Sequence, residues 1–325
     1  MKLGITVPNI ELGIDPEPIR ALACGAERLG FDYLMFYDHV IGADKSTRPD
    51  WRPFKGHPPI YDIDDSFHEA IVLCGFVAAI TQKIGLATGV IVAPQRQTVL
   101  LAKQIAEVDV LSRGRMRLGI GVGWNDLECA ALGSEFKSRG PRMTEQVEVM
   151  RRLWTQRSVT FHGQWHDMDA MGICPLPIQQ PIPIWLGGDA DAVLRRIAAI
   201  GDGWYVPSYL NERQIRERID KLNVYAEESG RDPKTIGIEG IIRMHGRTPE
   251  RCAESLEMWS RLGATHVVFN TESDGYRQRL PSAQMEKQGF QEDYLSHDGD
   301  EMAAMSRRIA ACGRFLDAAK QYIRR

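Results

Sequence analysis

The sequence predicts an α/β fold, a closed (β/α)8 TIM barrel, and three observations carry the prediction. Apolar runs of strand length alternate with helix-period stretches from end to end, eight such runs can be counted, and no shift in composition divides the chain. A doubly wound parallel sheet would alternate in the same way, but eight strand–helix pairs without a central boundary fit a barrel better. By length alone, 325 residues could make two domains of roughly 100 to 200 residues each. The pattern instead assigns residues 1–325 to one barrel domain with insertions.

The first strand is expected at Leu3 to Val7. Pro16 behind Asp15 opens a helix, because a first-turn proline has no needed N–H to lose, and Gly30 can close it in a left-handed conformation. Tyr33 to Tyr37 is the second strand and Ser66 to Ala79 its helix; Ile84 to Val92 and Thr98 to Leu111 form the third pair. Met116 to Gly121 with Arg142 to Trp154 follows, then Ile184 to Leu186 with Ala190 to Ile200, and Gly203 to Val206 with Glu212 to Glu228. Ile236 to Met244 is the seventh strand; Thr248 with Pro249 starts the next helix and Gly263 ends it. His266 to Asn270 is the eighth. In the last helix Met302, Met305, Ile309, Cys312, Leu316, Ala319 and Ile323 recur every three or four residues and share a face. That face either closes on the barrel or forms a homodimer interface.

Three segments exceed ordinary connection lengths: 41–65, 155–183 and 271–299, after strands 2, 4 and 8. The first carries Trp51, Phe54 and Tyr61 among Pro49, Pro53, Pro58 and Pro59, apolar and stiff enough to cover a site. In the second, the alternation from Val159 to His166 suggests a hairpin outside the barrel. The third is polar and contains glycine.

Composition excludes several classes. With 40 Lys and Arg against 43 Asp and Glu, a formal charge of -3 offers no basic excess for nucleic acid or an anionic membrane. The six cysteines, Cys24, Cys74, Cys129, Cys174, Cys252 and Cys312, form no CxxC pair and read as reduced thiols. The N-terminus lacks the apolar core and cleavage site of a signal peptide, and no run approaches the ~20 apolar residues of a membrane span. A cytoplasmic protein acting on a small molecule is expected.

A barrel assembles its active site just past the C-terminal ends of its strands. Those positions hold Pro8 and Asn9, Asp38 and His39, Gly89 and Val90, Gly123 to Asn125, Gly187 to Asp189, Pro207 and Ser208, His245, and Asn270. The set is rich in glycine, histidine and amides and poor in carboxylates. The first strand ends Thr6-Val7-Pro8-Asn9 rather than in a histidine pair, and His162 and His166 sit in the hairpin pattern around Gly163, so no metal is expected. Paired acids for glycoside chemistry are missing from the strand ends.

The run Gly119-Ile120-Gly121-Val122-Gly123-Trp124-Asn125 is GxGxG rather than the dinucleotide GxGxxG. Its glycines either let the backbone approach a flat ring or accommodate tight packing. Asp38-His39 pairs an imidazole that titrates near neutrality with a carboxylate, as acid/base chemistry needs, although a capping Asp beside a structural His would look the same. Gly187-Gly188 leads into a helix whose free N–H groups suit a phosphate; an ordinary strand-to-helix turn is the alternative.

Taken together, these stretches resemble the bacterial luciferase-like monooxygenase superfamily, in particular its coenzyme F420-dependent oxidoreductases. The matching residues are Tyr37-Asp38-His39-Val40, Leu86-Ala87-Thr88-Gly89-Val90 with Pro94-Gln95-Arg96, Leu111-Ser112-Arg113-Gly114-Arg115 into Gly121-Val122-Gly123-Trp124-Asn125, Pro183 to Gly188, and Gly201-Asp202-Gly203-Trp204. The resemblance implies a flavin-type ring at the C-terminal mouth, backed by a non-proline cis peptide at Gly89-Val90. It implies ring contacts from Asp38, Thr88, Gly89, Val90, Val122, Gly123, Trp124 and Asn125, and phosphate contacts from Gly187, Gly188 and Asp189. His39 matches the family's acid/base residue. The implied activity is hydride transfer between F420 and a small organic substrate under the 41–65 loop; the rival is monooxygenation with reduced FMN and O2, and a third reading is a silent flavin-binding barrel. Segments 41–65 and 271–299 match no known substrate-reading motif.

Overall fold

The structure is a computed structural model, and it describes residues 1–53, 56, 59–244, 247–272 and 300–323. Phe54, Pro58 and His245 lie outside these residues, as does 273–299, most of the third insertion.

The chain opens with β1 (Lys2–Thr6). Helix α1 (Pro16–Leu29) starts where Asp15 accepts the Glu17 N–H and ends at Gly30 with φ 90°, as the sequence predicts. Strand β2 (Tyr33–Phe36) follows. Helix α2 (Ala70–Ile80) starts four residues later than the expected Ser66, because the Glu69 carboxylate takes the Val72 N–H and sets the helix start there. The expected third strand, 84–92, divides into β3 (Gly85–Thr88) and β4 (Ile91–Val92) around Gly89-Val90, whose peptide is cis.

Next come α3 (Thr98–Leu111), β5 (Met116–Gly121), a short α4 (Asp126–Ala131) that the apolar periodicity did not signal, and α5 (Arg139–Thr155). Strands β6 (Val159–His162) and β7 (Asp167–Met171) pair antiparallel as the expected hairpin. The remaining elements are β8 (Ile184–Gly187), α6 (Asp191–Ile200), β9 (Gly203–Tyr205), α7 (Glu212–Glu228), β10 (Gly237–Arg243), α8 (Pro249–Arg261), β11 (His266–Asn270) and α9 (Glu301–Ile323).

The strands pair in parallel in the order β3-β2-β1-β11-β10-β9-β8-β5, and a further β3–β5 pairing closes the ring at eight strands. Segment 155–183 leaves the end of α5 and enters β8, so it joins the barrel at the end opposite the mouth. The hairpin reaches back along α3 and α5, with His166 contacting Glu145 and Thr98. The apolar face of α9 packs on α1 and α8, burying Met305, Cys312, Phe315, Leu316 and Ala319, which is the barrel-closing role.

Candidate functional site at the barrel mouth

The strand ends bring Asp38, His39, Gly89, Val90, Val122 to Asn125 and Gly187 to Asp189 around one mouth. Gly89, Val90, Val122, Gly123, Trp124, Gly187, Gly188 and Asp189 are half-buried there, whereas Asp38, His39, Thr88 and Asn125 are buried. The two groups do different work.

His39 is held by a residue that sequence reasoning missed. Its Nδ1 lies 2.9 Å from Glu128 Oε2, and Glu128 is 1% exposed. Glu128 Oε1 accepts the Val40 N–H at 2.6 Å, and Gln95 Nε2 donates to Oε2 at 3.3 Å. Burial alone would raise the Glu128 pKa, but its hydrogen bond and charge contact with His39, together with the Val40 and Gln95 donors, hold it below the ordinary carboxylate value. Glu128 reaches this place because Asn125 caps α4 and accepts the Glu128 N–H at 3.0 Å. The spacing Asn125-x-x-Glu128 is a helix-start signature and was the available signal.

Three rings enclose the imidazole: Tyr61 at 4.2 Å between centroids, and Phe67 and Trp124 each at 5.3 Å. The Tyr61 hydroxyl accepts from Asn125 Nδ2 at 2.8 Å and donates to the Ile41 carbonyl at 3.1 Å, while Trp51 Nε1 donates to Asp126 Oδ1. The 41–65 segment therefore covers His39, as its composition suggested. Beyond Tyr61 and Phe67 lies a cavity of about 410 Å3 that Val40, Ile41, Ile63, Asp62 and Asp65 also line.

Asp38 has a structural task. Its Oδ2 accepts the Val92 N–H at 2.9 Å, and Arg96 Nη2 lies 2.5 Å from Oδ1 while also reaching Glu69 at 2.8 Å. Arg96 thus ties the end of β2 to the start of α2. Thr88, expected at the ring, is wholly enclosed; its hydroxyl donates to the Gly119 carbonyl and accepts the Gly119 N–H, which locks β3 to β5. Asn9 bridges the ends of β1 and β2 through the Tyr37 carbonyl.

The glycine run serves packing at three positions. A Cβ on Gly119 would lie 1.9 Å from the Thr88 oxygen and 2.4 Å from the Tyr205 ring; on Gly121, 2.6 Å from Val90 Cγ2; on Gly123, at φ +76°, 2.5 Å from Val92 Cγ1. The side chains of Val90 and Val92 occupy that space, leaving Val122, Gly123 and Trp124 half-exposed at the mouth. At β8, Gly188 (φ +122°) precedes α6, whose start at Ala190 has no side-chain cap. Asp189 accepts from Tyr209 at 2.7 Å and faces Arg218, and Asp191 pairs with Lys221 at 2.8 Å, so both acids beside the helix start are neutralised from α7.

Inside the barrel lies an ion pair the strand-end survey could not see. Arg117 lies 2.6 Å from Glu239, which also accepts from the Tyr33 hydroxyl at 2.7 Å, and the rings of Tyr33 and Trp185 flank the guanidinium. These groups stand at the N-terminal ends of their strands and fill the barrel floor. Among the described residues no group of three or more His, Cys, Asp or Glu is placed to hold a metal, and no helix is long and apolar enough to cross a membrane.

A family model described as luciferase-like monooxygenase matches residues 1–315. An uncharacterized protein of Mycobacterium tuberculosis is 29% identical over 277 residues, covering 83% of this chain and 91% of its own. The F420-dependent glucose-6-phosphate dehydrogenase of Gordonia bronchialis is 26% identical over 325 residues, covering 96% of this chain and 89% of its own. Among solved structures, the monooxygenase RslO1 from Streptomyces bottropensis superposes with a TM-score of 0.67 at 19% identity, covering 99% of this chain and 100% of that one. An F420-dependent secondary alcohol dehydrogenase in complex with an F420-acetone adduct gives 0.65 at 20% identity, covering 98% and 90%. At these identities the superpositions establish the shared barrel; the family match over nearly the whole length establishes more, and the chain belongs to the luciferase-like monooxygenase family.

Proposed function

We propose that this protein is an oxidoreductase that moves a hydride between coenzyme F420 and a small organic substrate, with His39 moving the accompanying proton. One observation carries the reading: an imidazole oriented by a buried carboxylate stands at the same mouth as an uncapped helix start. Support for F420 over FMN comes from the near full-length likeness to enzymes named F420-dependent glucose-6-phosphate dehydrogenase.

The residues present fit such a group. Half-buried Gly89, Val90, Val122, Gly123 and Trp124 offer a flat, largely apolar rest for a ring. The uncapped start of α6 behind Gly187 and Gly188 offers free N–H groups and the positive end of a helix dipole to a phosphate, with the neighbouring acids already paired. When bound, the cofactor supplies a two-electron hydride acceptor or donor. The chain's own residues orient it, exclude water under the 41–65 segment and hold a proton at His39. The substrate is assigned to the cavity along that segment, whose wall mixes apolar Val40, Ile41, Ile63 and Phe67 with Asp62 and Asp65.

Titration of the purified protein with F420 and with FMN, followed by absorption and fluorescence, tests the reading. Saturable F420 binding is expected. FMN-dependent oxygen uptake without F420 turnover would establish the rival monooxygenase, and cofactor binding without turnover, unchanged in His39→Ala, would leave a barrel that only binds its cofactor.

A further inference from the structure

We propose that Glu128 is a positioning residue that fixes the tautomer of His39, keeping the proton on Nδ1 and leaving the Nε2 lone pair as the base. The inference rests on the oxidoreductase reading for its catalytic consequence, but its structural content stands independently.

An ionised carboxylate only accepts. Both Glu128 oxygens are engaged by donors: Oε1 by the Val40 N–H at 2.6 Å, and Oε2 by Gln95 Nε2 at 3.3 Å. The contact from Oε2 to His39 Nδ1 at 2.9 Å is satisfied only if Nδ1 carries hydrogen. Both partners are buried, His39 at 8% and Glu128 at 1% exposed, so water does not compete for that hydrogen bond. Glu128 ionisation, supported by its lowered pKa, makes the assignment one-way. With that hydrogen held on Nδ1, the imidazole in its neutral form has its lone pair on Nε2, for which no partner is found among the described residues.

If the bound substrate is an alcohol to be oxidised, its O–H proton would form an N–H bond at Nε2 as the adjacent C–H bond breaks, the electron pair leaving as hydride and the carbon becoming a carbonyl; F420, when bound, would supply the two-electron acceptor. The resulting imidazolium keeps its Nδ1–H on the Glu128 carboxylate, which stabilises the charge as it forms. Because the same carboxylate accepts the Val40 and Ile41 N–H groups, the orientation of His39 is coupled to the start of the covering segment.

Glu128→Gln tests this with little change of shape. The short Val40 N–H contact demands the amide oxygen, which turns the amide NH2 toward Nδ1 and forces the proton to Nε2. The readout is 15N NMR of histidine-labelled protein at alkaline pH, with His39 assigned among the eight histidines by its loss in His39→Asn. The expected result is Nδ1-protonated in the wild type and Nε2-protonated in Glu128→Gln. An Nε2-protonated wild type, or an unchanged tautomer in a folded Glu128→Gln, overturns the proposal. The wild-type spectrum decides the first point even if the variant fails to fold. With F420, kcat of Glu128→Gln is expected to fall about 10²- to 10⁴-fold with the F420 Kd unchanged and partial recovery in Glu128→Asp. If F420 does not bind at all, the oxidoreductase reading fails while the tautomer result still stands or falls on its own.

Discussion

Val90 and Val92 flank the mouth through side chains that need Gly121 and Gly123 opposite them, and the backbone carbonyl of Thr88 needs Gly119. A methyl group at Gly119 has nowhere to go, since both nearest neighbours belong to the barrel frame. Gly119→Ala is therefore expected to destabilise by about 1–3 kcal/mol, read as a lower denaturation midpoint in urea. His39 is a different case: its ring is enclosed, but the consequence of losing it is chemical. His39→Asn is expected to lower kcat by about 10²- to 10⁴-fold while F420 binding, followed by fluorescence, is retained. Loss of binding and turnover together would assign His39 to the cofactor site instead.

At the scale of elements, carboxylates mark the joints. Glu27 at the end of α1 accepts the N–H groups of Gln82, Lys83 and Ile84 at 2.9, 2.6 and 2.9 Å, fixing the entry to β3. Burial would raise its pKa, but those three donors and the Arg115 charge lower it on balance. Across the barrel floor, β5 and β10 are joined by Arg117 and Glu239; burial works against the Arg117 charge, and Glu239 more than offsets it. Removing one partner leaves the other charged and enclosed, so Glu239→Ala is expected to cost about 3–5 kcal/mol. Replacing both by Met and Leu should recover much of that loss. Thermal melting of the single and double variants checks this, and an additive double variant would mean that the pair is not coupled.

For the whole molecule, acid sensitivity follows from groups whose titration differs between folded and unfolded chains. His266 is pushed down to about 3 by burial and by the charges of Arg117 and Lys2; unfolded, it titrates near 6.5. Between those values the unfolded chain binds the extra proton, so His266 lowers stability as pH falls from about 6.5 toward 3. Glu272, raised to about 7 by burial, acts oppositely: its extra stability is present below its unfolded value and fades as pH rises through 7. His266→Gln is expected to flatten the fall of Tm on acidification, and an unchanged slope would remove His266 from this account. The sequence left the α9 face open between closing the barrel and meeting a second subunit; that face is buried on α1 and α8.

The alternation of apolar runs specified an eight-stranded barrel, because period and strand length are local properties that survive in one dimension. Helix starts with a capping residue, such as Asp15 with Pro16, were equally legible. The mouth was also legible in outline, since parallel strands must all end on the same side. What only the tertiary structure decided was which partner each polar group takes. Asp38 sits next to His39 in sequence yet bonds Arg96, while Glu128, 89 residues away, orients the imidazole. Arg117 and Glu239, 122 residues apart, meet across the barrel floor. Adjacency along the chain sets neither direction nor burial; closure of the ring sets both, and hydrogen bonds form where desolvated donors and acceptors are brought within reach.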